Sequence, residues 1–275
     1  MKRFASSPAA ERLAHVRRRL QALDQAPAGA EGAARLPLGL AAIDAHLAGG
    51  LKRAALHEVA PAEPTAPARA AAAAMAARWA AMAAGPEGRI AWCLDPARRP
   101  ALFPPGLAAA GLGAGRFLFI EARNADARLM AMEEAAGACT AVVAEMALSG
   151  GQWMPASRRL QLVAERTGAF LLWLPMLPLA EPCAAQTRWR VAPALSPPPP
   201  VRPLFAGPGG VGLGPPRLRL ELVRARGAAG GRTWIVEMAD GVWADGASPP
   251  CAVVSHLAHG SAEAGMEGGR RAAAG

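Results

Sequence analysis

LPLGLAAIDAHLAGGLKRAALHEVAPAEPTAPAR, residues 36–69, is the stretch from which the fold can be read. Gly39, the pair Ile43-Asp44 and the doublet Gly49-Gly50 punctuate its first half, as turn residues do. Residues 54–60 (AALHEVA) are then a short apolar run suited to a buried strand. The next ten residues, 60–69, contain Pro61, Pro64 and Pro67 and neither glycine nor lysine. Beyond them an alanine-rich run, 68–84, has the length of a helix. Arg69 and Arg78 interrupt it and alanine is weakly apolar, so it reads as a soluble helix and not as a membrane span.

Further along the chain the same alternation repeats. Strand candidates at 89–95, 117–121, 140–146 and 169–175 are separated by helix candidates at 125–137 and 155–167. Short apolar strands spaced by helices are the pattern of an α/β protein with a mostly parallel sheet flanked by helices. The core is expected over 35–191. Residues 192–216, crowded with proline and glycine, are expected to be a loop or linker. RLRLELVRARG (217–227) and RTWIVEM (232–238) around a Gly-Ala-Ala-Gly-Gly turn predict a C-terminal β-hairpin within 217–240. The remainder, 241–275, is rich in small residues and is expected to be a flexible tail. Upstream, Leu13, Val16, Leu20 and Leu23 recur at helical spacing and predict an N-terminal helical arm within 1–34. That arm packs either on its own domain or on another subunit.

Charge is segregated. The chain is net +9, with 52% apolar residues, ample for a core. Residues 1–20 carry six Lys/Arg against one Glu, and 186–232 carry eight Arg against one Glu, while 21–185 balance. Lys2 and Lys52 are the chain's lysines, there is no Tyr, and Ala, Gly, Pro and Arg abound, so part of the basicity reflects GC-rich codons. Cys93, Cys139, Cys183 and Cys251 have no CxxC spacing, so neither a zinc site nor a disulfide framework is indicated. The basic N-terminus lacks the apolar core of a secretory signal, and a cytoplasmic location is expected.

The 36–61 stretch resembles the segment entering the nucleotide site of RecA-type ATPases. There, glycines let backbone N–H groups converge on phosphate, a lysine reaches the β/γ oxygens and a Ser/Thr holds magnesium. Here three prolines each remove a donor and fix φ, and Glu63 adds repulsion. Thr65 and Arg69 read as a loop residue and a helix-surface residue. Glu145 and Asp95 stand at strand ends where such ATPases place acids, but Leu174-Pro175 replaces a polar sensor. No ATP hydrolysis, cofactor or metal is therefore expected, and a divergent DNA-dependent ATPase is the reading this loop opposes.

Further segments are similar to the ImuA family. They include Leu38-Gly39, Ala55-Leu56-His57-Glu58, Ala91-Trp92-Cys93 and PPGLAAAGL (104–112). Val143-Ala144-Glu145, Ser157-Arg158-Arg159-Leu160-Gln161-Leu162 and Thr187-Arg188-Trp189-Arg190-Val191 complete the set. The resemblance implies a RecA-like protein in SOS-induced, mutagenic translesion synthesis. Its implied partners are an inactive Y-family polymerase-like protein (ImuB) and an error-prone DnaE-type polymerase, with RecA and DNA as further candidates. A SulA-like division inhibitor is the alternative role.

Candidate DNA or partner contacts are Arg158 and Arg159 on a helix, Arg188 and Arg190 on a short strand, and Arg217 and Arg219 on the hairpin. Alternation puts Arg188 and Arg190 on one face and Trp189 on the other. None has base-reading context, so DNA contact through them would be sequence-independent and would fade with salt. For His57 and Glu58 a buried structural role is expected, and no hydrolase constellation is present.

Overall fold

The computed structural model describes residues 35–97, 114–148, 150–178, 181–196, 215–239 and 242–246. The arm bearing Leu13, Val16, Leu20 and Leu23, the segment 104–112 and Cys251 lie outside the described residues.

The opening motif builds a small collar. β1 (Arg35–Leu36) pairs antiparallel with β2 (Leu51–Lys52), and α1 (Ala41–His46) lies between them in sequence. Asp44 accepts hydrogen bonds from the N–H groups of Leu38 (2.8 Å) and Gly39 (3.0 Å), which fixes the turn at Gly39. Gly50 has φ +108°, and a Cβ there would sit 2.0 Å from the Leu36 carbonyl oxygen, so the chain passes only as glycine.

The main sheet follows. β3 (Ala55–Pro61), α2 (Ala66–Ala84), β4 (Ile90–Leu94), β5 (Phe117–Glu121) and α3 (Ala125–Ala136) come first. Next are β6 (Ala141–Met146), α4 (Trp153–Thr167), β7 (Phe170–Pro175) and β8 (Thr187–Ala194). The chain continues through β9 (Arg217–Ala225), β10 (Arg232–Ala239) and β11 (Val242–Asp245). The five strands and three helices expected from periodicity over 54–175 are all present, with ends displaced by no more than two residues. Spatially the nine strands run β11-β10-β9-β8-β3-β7-β6-β4-β5. From β8 to β5 the neighbours are parallel; β9, β10 and β11 add antiparallel. The hairpin therefore extends the same sheet.

The loop expected from residue 192 begins later, because β8 runs to Ala194 and pairs Pro193 with Leu218. The pairing between β3 and β8 ends at Pro61 and Val191, so beyond that point β8 has a partner on one side, where a missing proline N–H is tolerated.

Two apolar layers enclose the sheet. On one face α2 packs through Met75 and Trp79 against Val59, Leu172, Trp189 and Leu220. Its many alanines let its backbone lie close to the strands, and Trp79 meets Trp189 edge-on at 5.3 Å. On the other face α3 and α4 cover Cys93, Val142 and Trp173, with Trp153 stacked on Trp173 at 5.0 Å. Among the described residues no helix is long and apolar enough to cross a membrane.

Candidate functional site

In a parallel α/β sheet, ligands bind beyond the carboxyl ends of the strands. At that end this chain has a cavity of about 610 Å³. Pro61 of β3, Ala66 and Ala73 of α2, Glu145 of β6, and Leu174 and Pro175 of β7 are among the residues that line it. The volume lies within the range of small-molecule sites, roughly 300–1,000 Å³. Its lining is apolar apart from Arg69 and Glu145.

The β3–α2 connection is where a RecA-type ATPase would hold phosphate. It spans residues 62–65 and leads straight into α2. Thr65 is the N-cap, in extended conformation, and its Oγ1 accepts from the Ala68 N–H at 3.4 Å. Pro67 has no N–H to offer. The Arg69 N–H bonds back to the Thr65 carbonyl, and Arg69 Nη1 donates to the Pro64 carbonyl at 3.1 Å. The amide of Ala62 is held by Val191. The Ala62, Ala68 and Arg69 amides are thus engaged within the chain, and Thr65 is the cap of α2.

The two acids expected at strand ends diverge. Glu145 is 2% exposed, accepts from Trp92 Nε1 at 3.1 Å and lines the cavity. Asp95 accepts from the Ala97 N–H at 3.0 Å and lies 3.5 Å from Arg128, holding the turn after β4.

The candidate arginines of β8 and β9, at 188, 190, 217 and 219, share the sheet face turned away from α2, and each lies near a carboxylate. Arg188 is buried and grips Glu58, with Nε 3.1 Å from both oxygens and Nη2 2.8 Å from Oε1. The Cys183 thiol donates to Glu58 Oε2 at 3.0 Å; burial, and then that carboxylate, push its pKa up to about 12. Arg217 is also buried and donates to Glu237 across the β9–β10 pair. Presentation of Arg188 and Arg217 on the surface is therefore corrected: carboxylates from neighbouring strands draw both inward. Arg190 is partly exposed, 3.9 Å from Glu221, and Arg219 is 40% exposed, 3.9 Å from Glu63. On α4, Arg158 is exposed, and Arg159 is exposed while reaching Glu133 of α3. These six residues do not converge on one site.

His57 takes the structural role expected of it. The Trp189 indole N–H donates to Thr187 Oγ1 at 2.8 Å, and that hydroxyl lies 2.8 Å from His57 Nδ1. His57 Nε2 lies 2.8 Å from the Lys52 carbonyl and must donate to it, so Nδ1 is the acceptor and the ring is neutral. Burial lowers its pKa to about 4. Thr187 was the unforeseen member: its contact depends on β8 lying beside β3, which sequence spacing does not disclose.

No family model matches the chain. The solved structure of the RadB recombinase matches 77% of this chain and 100% of its own length, with a TM-score of 0.52 at 13% identity. At that identity the likeness establishes the fold, an α/β RecA-like sheet flanked by helices. Protein ImuA of Caulobacter vibrioides, in two strains, is 36% identical over 195 residues, covering 67% of this chain and 72% of the relative. A match of that identity and extent, on a RecA-like core, makes this chain a member of the ImuA family.

Proposed function

We propose that the chain is a non-catalytic RecA-like scaffold or regulatory subunit of a damage-inducible, error-prone translesion DNA synthesis complex. The observation that carries this reading is the β3–α2 connection, where Thr65 caps the helix and Pro67 deletes a donor. Without the phosphate nest, the sheet end that powers an ATPase retains an apolar cavity and one buried carboxylate. The fold persists where its catalytic loop does not, and a rigid core with partner-binding surfaces is what a scaffold requires. The family membership supplies the biological setting, and the partners of this reading are the inactive Y-family polymerase-like protein ImuB and the error-prone DnaE-type polymerase.

The test is affinity isolation of the tagged full chain from DNA-damaged cells of its host, with mass spectrometry of what accompanies it. Recovery of the polymerase-like protein or the DnaE-type polymerase is expected. Recovery of a division protein instead, or of neither, overturns the role.

A further inference from the structure

The opposite end of the sheet has a different chemistry. The amino ends of β3 and β8 are framed on one side by the β1–β2 collar and on the other by the turn from β9 to β10. Arg35, Lys52 and Arg226 line a narrow cleft between collar and turn, together with Gly50, Gln186 and Gly227, and no carboxylate lines it. Its free volume is about 10 Å³, room for about one water-sized group and not for a nucleotide. Arg53 follows Lys52 and donates to the Ala83 carbonyl at 2.8 Å. Arg232 opens β10 and contacts His46. Five cations from three separate segments thus meet at one end of the molecule. Among the described residues none of the five forms an ion pair with a carboxylate.

Like charges gathered without a counter-charge among the described residues repel one another and attract an external anion. Arg35 is held by the Gly50 carbonyl and Arg226 by the Ala184 carbonyl, so two of the guanidinium groups are positioned before any anion arrives. The basic stretch 186–232 supplies Arg226 and Arg232.

From this convergence we infer that the amino end of the parallel strands binds the phosphodiester backbone of a nucleic acid, without sequence preference. A cleft sized for single anionic oxygens, flanked by further cations, fits repeated phosphates along a strand. The cations it gathers contact phosphate and carry no sequence information of their own. The inference stands apart from the scaffold reading, because it holds whichever proteins the chain accompanies. It also assigns DNA contact to residues other than Arg158, Arg159, Arg190 and Arg219.

Fluorescence anisotropy of the full chain with a labelled mixed-sequence oligonucleotide tests it, single- and double-stranded, between ~50 and ~200 mM salt. Affinity is expected to fall steeply with salt, and Lys52→Gln with Arg226→Gln to weaken binding by ~10-fold or more and flatten the salt slope by ~1–2. Arg190→Gln with Arg219→Gln, and Arg158→Gln with Arg159→Gln, are expected to bind as the parent does. Circular dichroism verifies folding; if the double variant melts early, Lys52→Gln alone, whose ammonium makes no hydrogen bond among the described residues, carries the measurement. Absence of binding by the parent chain, unchanged affinity in the Lys52 variant, or loss that follows Arg158/Arg159 or Arg190/Arg219 overturns the assignment. Displacement of the oligonucleotide by polyglutamate as effectively as by unlabelled DNA points to an acidic protein partner and overturns it too.

Discussion

The two ends of the central sheet carry opposite chemistry. At the carboxyl ends, Asp95, Glu121 and Glu145 stand in or just beyond the last residues of β4, β5 and β6, near a β3–α2 connection capped by Thr65. At the amino ends, Arg89 and Arg116 immediately precede β4 and β5, and the Arg35–Lys52–Arg226 cleft lies beside β3. Acids close the strands at one end, beside Arg69 and Arg128, and arginines and Lys52 open them at the other. The difference teaches that the chemistry of each end is set by its loops, on one strand order and two apolar layers common to both. Between the ends, the Glu58–Arg188 pair ties β3 to β8, the last parallel strand before the antiparallel extension.

That pair is where both ends can be lost together. Arg188→Ala leaves Glu58 buried without its guanidinium and is expected to cost ~3–5 kcal/mol in urea unfolding. A loss below ~1 kcal/mol would mean that β8 is held by its ladder and by Trp189 alone.

Acid discriminates between the ends. His57 has a folded pKa of about 4 against an ordinary value of 6.5, so its neutral form is favoured in the native state. Its contribution is complete above pH 6.5 and is lost as pH falls from 6.5 toward 4, by ~3 kcal/mol in total. Urea midpoints across this window are expected to drop in the parent and to flatten in His57→Gln. An equal drop in both would place the acid sensitivity elsewhere.

At the carboxyl end, Thr65→Ala removes the cap of α2 and is expected to cost ~1 kcal/mol by thermal unfolding. Neither this variant nor the parent is expected to give saturable heat with Mg·ATP in titration calorimetry. Saturable binding would sharpen the comparison in the other direction, by showing that the cavity still holds nucleotide. The smallest effect belongs to the amino end, where Lys52→Gln is expected to leave stability within ~0.5 kcal/mol while weakening nucleic-acid binding.

Much of this was legible in residue order. Five apolar runs and three helices between 54 and 175 identified the sheet, and Pro61, Pro64 and Pro67 identified the altered loop, because proline acts on its own backbone whatever surrounds it. Arg188 was different. Alternation with Trp189 fixed which face it shares with Arg190, but not that Glu58, 130 residues earlier, waits on that face. Arg217 met Glu237 by the same route. The collar strands, two residues each, are too short to leave a periodic signal, so the meeting of Arg35, Lys52 and Arg226 emerges from tertiary structure. Local chemistry reads out from sequence; pairing across the sheet does not.

The position of β3 also governs how the chain is made. This strand, buried along its whole length, takes its two sheet neighbours from β7 and β8, which begin at Phe170 and Thr187. A ribosome adding roughly 5–20 residues per second leaves β3 without either neighbour for on the order of ten seconds after its synthesis. Contacts that distant in sequence also slow the search for the native topology. During that interval an apolar strand with free edges is exposed to whatever meets the nascent chain, and the residues that define the family's opening motif are among the last to become secure.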